Sequence, residues 1–256
     1  MALRGTTQNN GTTSTTSNSI TYAGASNIVI GDFIVLVSEV TTSSTESFTD
    51  PSGFTAGSSI SLPDVRVNAS DYLHVAVKIA AAGDVGTPTY VTSCTNGGYW
   101  KQQLRVYSGR NTATVGSAIT AVSATGAATQ GGYPYSFAMT GLTAASGDDL
   151  MLFAVGCLPD GNSGSTAFGA SATGFSNSLA SNYSGYQYDA SLNSLDYVNY
   201  SGGTTGTITV TLTQTGGSGT QVIPFGFMLS LANAVTTPFT PFTQTQFFVT
   251  DTIIQQ

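Results

Sequence analysis

Gly31-Asp32-Phe33-Ile34-Val35-Leu36-Val37 is answered further along the chain by Gly147-Asp148-Asp149-Leu150-Met151-Leu152-Phe153, and this pair decides the fold. In each, a Gly-Asp turn opens a short apolar run of strand length. Weaker matches follow in the same order: Gly53-Phe54-Thr55 with Gly174-Phe175-Ser176, Asp71-Tyr72-Leu73 with Asp196-Tyr197-Val198, Gly86-Thr87 with Gly206-Thr207, and Leu104–Val106 with Phe225–Phe227. Their offsets stay at roughly 116 to 125 residues, as expected of two related β units spanning 31–109 and 147–231.

Between these anchors, strand signals recur at Ile28–Ile30, Phe33–Val40, Leu73–Ala80, Tyr90–Cys94, Gln102–Tyr107, Leu150–Leu158, Thr207–Gln214 and Val222–Leu231, separated by Gly, Pro, Asp and Ser clusters. No comparable stretch has the 3.6-residue period of an amphipathic helix. Thr207–Thr213 alternates cleanly, so Ile208, Val210 and Leu212 are expected to face a core and the threonines solvent. In the next strand Ile223, Phe225, Phe227, Leu229 and Leu231 share a face, and Pro224 on the other marks an edge or a bulge. The predicted fold class is all-β: a jelly-roll-like antiparallel β-sandwich over 27–233, built from two quasi-repeated halves that share a core. Extended arms are predicted at 1–26 and 234–256. Two tandem small sandwiches are the alternative.

Phe33–Val37 and Leu150–Val155 break the alternation, being apolar on both faces, whereas a two-layer sandwich buries one face of each sheet. Something must cover their outer sides: the chain's own arms, the Thr-rich connection 111–147, or a neighbouring subunit. The C-terminal segment adds to the case for assembly. Phe239, Phe242, Phe247, Phe248, Val249, Ile253 and Ile254 would be a solubility hazard on a free tail. The Pro-Phe-Thr repeat favours extended backbone, so this segment is expected to clasp a neighbour or to be a last strand of the fold.

With 256 residues, 40% of them hydrophobic, the chain can bury a core without staples. Only 7% are charged, against about 25% in ordinary domains, so Thr, Ser, Asn, Gln and Gly must fill solvent-facing positions. Such a surface costs little to desolvate and suits packing against other subunits. A net charge of −7 and six scattered basic residues (Arg4, Arg66, Lys78, Lys101, Arg105, Arg110) argue against nucleic acid as a partner. No apolar run reaches the roughly 18 residues of a membrane helix, and the first residues do not resemble a signal peptide, so synthesis in a cytosol and no membrane partner are expected. Cys94 and Cys157 are then expected to be thiols rather than a bridge.

Chemistry is sparse. His74 is the only histidine, and the alternation of Leu73–Ile79 places it opposite the core, as a solvent or interface residue. Asp148, Asp149, Asp160, Asp189 and Asp196 lie where turns call for Asp, so no catalytic pair is expected. Asp160–Gly164 lacks the acidic spacing of a calcium loop, and neither a metal nor a cofactor is predicted. One binding surface stands out. Tyr183, Tyr186, Tyr188, Tyr197 and Tyr200, interleaved with Asn, Ser and Gln, could stack on sugar rings or line a protein interface.

The order Gly-Asp, apolar strand, Asp50-Pro51-Ser52-Gly53-Phe54-Thr55 turn, strand to Lys78-Ile79-Ala80, Gly83-Asp84 turn, and strand to Val106-Tyr107-Ser108-Gly109 resembles β-sandwich virion proteins of tailed bacteriophages. These include capsid decoration (cement) proteins and tail or fibre components. Phe54 stands where that pattern often has Trp. The resemblance spans about Gly31 to Leu231 and implies a structural role without catalysis. It further implies virion localisation after synthesis in the host bacterial cytoplasm, with copies of itself and a major capsid or other virion protein as partners. A tail or fibre role with a lectin-like face reading a host-surface glycan is the alternative.

Overall fold

A computed structural model describes residues 3–11, 13–42, 44–56, 62, 64–66, 71–109, 114–126, 130–131, 134–157, 168–183, 190–214 and 221–233. The protein is all-β, with antiparallel pairing throughout. The first half comprises β1 (Leu3–Asn10), β2 (Thr15–Thr21), β3 (Phe33–Thr41), β4 (Phe48–Thr49), β5 (Thr55–Ala56), β6 (Asp64–Arg66), β7 (Asp71–Ile79) and β8 (Thr89–Tyr107). A single-turn helix, α1 (Val115–Ala118), leads into the second. That half comprises β9 (Ile119–Gly126), β10 (Gln130–Gly131), β11 (Tyr135–Met139), β12 (Thr143–Ala144), β13 (Asp149–Cys157), β14 (Phe168–Ala172), β15 (Ser176–Tyr183), β16 (Ala190–Tyr197), β17 (Gly203–Thr204), β18 (Ile208–Gln214) and β19 (Gln221–Leu231).

The repeat is present at the level of topology. A large sheet runs β1-β8-β3-β7-β5 in the first half and β9-β19-β13-β16-β15 in the second. A small sheet, β2-β8-β4, matches β11-β18-β14. The Gly-Asp turns coincide bond for bond. Gly31 and Gly147 take φ of 86° and 87°, in the left-handed region where glycine is favoured. Gly31 N–H donates to Ala80 at 2.9 Å and Gly147 N–H to Tyr200 at 2.8 Å, while Asp32 and Asp148 accept the return bonds from Ala80 and Tyr200. Their carboxylates cap the turns by accepting from Val29 N–H and Ala145 N–H. Placing Gly31 on Gly147 corrects two of the weaker matches. Val35 faces Val77 and Met151 faces Asp196, so Asp196 stands in the place of Val77 rather than Asp71. Likewise Leu104 corresponds to Met228, not to Phe225.

Both doubly apolar strands are covered within the chain. Phe33, Val35 and Val37 of β3, with Leu73, Val75 and Val77 of β7, pack on Met151, Phe153 and Val155 of β13 and Phe227, Leu229 and Leu231 of β19. This central core joins the two large sheets. Ile34 and Leu36 on the other side of β3 lie under Ile20, Tyr22, Ile28 and Tyr90. Leu150, Leu152 and Ala154 of β13 lie under Tyr135, Phe137, Met139, Val210 and Leu212. Each half is therefore a two-layer sandwich with its own core, and the halves share a third, which joins the predicted shared core to the tandem alternative.

The segment 1–26, expected to be an extended arm, is instead integral. β1 is the edge strand beside β8 (Leu3 opposite Tyr107), and β2 pairs with Thr89–Ser93 in the small sheet. The two strands expected at Tyr90–Cys94 and Gln102–Tyr107 are one, β8, which passes from the small sheet into the large one. Gly97 and Gly98 sit at the crossing. Gly97 has φ of 82°, and a Cβ on Gly98 would collide with the Thr41 carbonyl and Val40. Pro224, opposite Gly156 of β13, lies in a gap on the other side of β19, between Val222 (on β10) and Phe225 (on β9). A ring lacking N–H is tolerated there. The C-terminal segment 234–256 lies outside the described residues.

Along one flank the contact between halves is polar. Arg105 of β8, fully buried, donates from Nη2 to Asp196 Oδ2 at 2.6 Å and to the Asn177 carbonyl at 2.9 Å, and from Nη1 to Ser194. Tyr107 O–H donates to Asp196 Oδ1 at 2.7 Å, and Gln103 donates to the Leu192 carbonyl at 2.7 Å. By register, the repeat counterparts of Arg105 and Asp196 are Leu229 and Val77, both in the central apolar cluster. A second buried group lies farther along β3. There Lys101 Nζ contacts Glu39 Oε2 at 2.6 Å and donates to Thr41 Oγ1 at 2.8 Å, and Thr41 donates to Asp71 at 2.7 Å.

Candidate functional site

The first half carries a cleft of about 480 Å³ between the Asp50–Ser52 turn, β7, the Gly83–Asp84 turn and the start of β8. It exists because the chain makes a Gly53 turn with φ of 79°, closed by Phe54 N–H donating to the Pro51 carbonyl, which carries the 50–54 segment over the outer face of β7. Lys78 projects from that face. Its ammonium donates to Asp84 Oδ1 at 2.8 Å and to the Ser52 carbonyl at 3.1 Å, and lies 5.7 Å from the Phe54 ring centroid and 6.0 Å from that of Tyr90. Asp84 also accepts from Tyr90 O–H at 3.0 Å and Ala81 N–H at 2.8 Å. Burial alone would raise the Asp84 pKa, but the Lys78, Ala81 and Tyr90 donors outweigh it and hold the carboxyl below its ordinary value. Burial and the Asp84 charge push the Tyr90 phenol up, so it stays a neutral donor.

His74 is buried behind this cleft, not at a solvent or interface face as the alternation suggested. Its Nε2 contacts Asp50 Oδ1 at 2.7 Å, Nδ1 lies 3.5 Å from Asp64, and the ring stacks on Phe48 with centroids 4.4 Å apart. The strand parity was right. The outer face is covered by β4, β6 and the Asp50 turn, which the local pattern does not reveal. Burial by itself would depress the imidazolium, but the hydrogen bond to Asp50 and the nearby Asp50 and Asp64 carboxylates prevail, so its pKa is raised. His74 thus clamps the Asp50 wall of the cleft to β6.

The predicted tyrosines meet different fates. Tyr197 and Tyr200 are half-buried and edge-to-face at 5.5 Å, Tyr197 meets Phe175 edge-to-face at 5.6 Å, and both tyrosines pack on the second core. Their rings are thus largely engaged with one another. Tyr183 pairs through its backbone with Ala190, while Tyr186 and Tyr188 lie outside the described residues. So do all the C-terminal candidates, Phe239, Phe242, Phe247, Phe248, Val249, Ile253 and Ile254, and the Asp160–Gly164 turn. Asp148 accepts from Thr120, Ser230 and Ala145, Asp149 accepts from Asn199 N–H, and Asp196 is bound to Arg105 and Tyr107. These carboxylates are committed to holding turns and the contact between halves.

Among the described residues charge is drawn inward. Every cation whose side chain is described lies against a carboxyl group: Arg4 against Asp32, Lys78 against Asp84, Lys101 against Glu39 and Arg105 against Asp196. Of the described carboxylates only Asp50 and Asp64 escape burial. Cys94 is a buried free thiol pushed up to about 12, first by burial and then by the neighbouring Glu46 charge. Native protein treated with iodoacetamide at pH 8 should therefore remain unlabelled at Cys94, and protein unfolded in guanidinium should be labelled there. Peptide mass spectrometry reads the result, and fast native labelling would show that the site opens. Compared with protein-family models, curated proteins and solved structures, the chain gives no match.

Proposed function

We propose that the chain is a structural protein of a tailed-phage virion, a capsid-decorating cement protein that binds its neighbours by burying uncharged surface. The observation that carries this is the internalised charge: the described cations sit against internal carboxyl groups, most described carboxyls are buried, and the outer faces of the small sheets present hydroxyls such as Thr21, Thr89, Ser136 and Thr209. Such a surface has little desolvation penalty to overcome and, among the described residues, little exposed charge beyond Asp50 and Asp64, so attachment should depend only weakly on salt. The turn pattern shared with virion β-sandwich proteins supports the same class. In each half the first strand lies beside the last in the large sheet, which supports a jelly-roll-like reading of the sandwich. Because β3 and β13 are covered from within, the contacts with neighbours fall to the outer surface and the C-terminal segment.

Cryo-electron microscopy of the particle carrying this chain tests the proposal. Copies repeated over the capsid lattice are expected, and density confined to the tail would overturn the cement role. Deleting Pro238–Gln256 should leave cooperative unfolding intact, because the described residues of the three cores all precede that segment, and should abolish attachment to the shell. Thermal melting and co-sedimentation with shells read the two effects separately.

A further inference from the structure

Equivalent positions in the two halves have diverged at one place. In the second half Phe175, Tyr197 and Tyr200 form a run of three edge-to-face rings with Tyr197 in the middle. The shared register and turn bonds make their counterparts Phe54, Lys78 and Ala80. One ring is kept, one is replaced by a lysine and one is lost. The cleft lies at this place in the first half, with Pro51, Pro88 and Val91 on its walls, and Val91 is 50% exposed. The Lys78 ammonium already has two rings beside it, Phe54 and Tyr90, and a further ring would enlarge a cation–aromatic cage. The cleft is poorly suited to a small anion, because Asp84 neutralises Lys78 and Asp50 lies on the wall.

We propose that this cleft is the receptor for Phe239, in the Pro238-Phe239-Thr240-Pro241-Phe242 segment, of a second copy of the chain. The inference rests on the assembly role proposed above and names its seat. The occupant follows from three observations. The segment offers Phe twice next to Pro, a combination pre-set for extended docking on a surface with apolar walls. It lies beyond the described sandwich, so no core described above is opened to supply it. Asn233, the last described residue, is bonded to Asp148 in the second half, whereas the cleft lies on the side of the first large sheet facing away from that half. Six residues span at most about 20 Å, roughly two sheet spacings, which leaves Phe239 no slack to round the sheets to its own cleft.

Sedimentation velocity of the full chain over a concentration series tests this, with three proteins: wild type, Val91→Asp, and Phe239→Ala/Phe242→Ala. Wild type should self-associate. Each variant should associate roughly tenfold or more weakly, as loss of a buried aromatic anchor predicts. An equimolar mixture of the two variants should recover one heterologous contact, since one partner keeps an intact tail and the other an intact cleft. Circular dichroism should show both variants folded like wild type. Variants that associate as wild type does would overturn the cleft as the seat and leave the assembly role standing. A mixture that recovers nothing would also overturn it. A wild type that is monomeric at every concentration would overturn the second copy as occupant, and the location of the chain on the particle would still decide the assembly role independently.

Discussion

Arg105→Leu is expected to destabilise the protein by about 3 to 5 kcal/mol, the largest effect of any single substitution considered, because it strands the Asp196 carboxylate between the two halves. Asp196→Val should cost a similar amount by stranding the guanidinium. The repeat supplies the control. Leu229 and Val77 fill the counterpart positions, so Arg105→Leu/Asp196→Val rebuilds on the polar flank the pairing that the apolar flank already uses. Replacing a buried ion pair by packed apolar groups is often neutral, so the double variant should be more stable than either single one. It will not fully match wild type, since Tyr107 loses its acceptor at a cost of about 1 to 3 kcal/mol. Urea unfolding of the four proteins gives the coupling energy. A single variant within about 1 kcal/mol of wild type would show that the pair does not hold the halves together.

The second large effect concerns pH. Glu39 is fully buried, and burial outweighs the attraction of Lys101, raising its pKa from 4.5 to about 8. Between those values the native state binds more protons than the unfolded chain, so stability falls as pH rises, by at most roughly 5 kcal/mol. His74 acts in the same direction. Its raised pKa contributes stability that is fully present below the unfolded value near 6.5 and lost as pH rises through the folded value. Asp84, held low, acts oppositely, and its contribution is lost only as pH falls below the ordinary carboxyl range. The melting temperature should therefore peak near the ordinary carboxyl range and decline from about pH 5 to 8. In Glu39→Gln/Lys101→Met the decline should flatten to the part due to His74. A wild-type curve level over that range would mean that Lys101 keeps Glu39 ionised.

How much of this was legible in the sequence depended on whether the cause was local. The Gly31-Asp32 and Gly147-Asp148 turns were legible because one residue must take a positive φ and the next must cap a backbone N–H, which few other pairs can do. The faces of β18 and β19 followed from alternation alone. β1 and β2 did not, because their outward positions are Thr, Ser and Asn and few apolar residues, chiefly Ile20 and Tyr22, point inward to announce them. Arg105 and Lys101 pattern like surface cations, and nothing nearby shows that the partner of Arg105 is Asp196 across the chain. For the same reason the cleft could not be found from one half. It becomes visible when Lys78 and Ala80 are set beside Tyr197 and Tyr200.

In each half the opening strand is hydrogen-bonded to the closing one: Leu3 lies opposite Tyr107, and Ile119 opposite Leu231. Neither half can finish its large sheet until its last strand has left the ribosome, so folding should be slow, in the range of milliseconds to seconds typical of non-local β topologies. During that wait β1 is an unpaired edge. Its sequence, Leu3-Arg4-Gly5-Thr6-Thr7-Gln8-Asn9-Asn10, carries one large apolar residue and a charge, which makes it a poor template for pairing with other nascent chains.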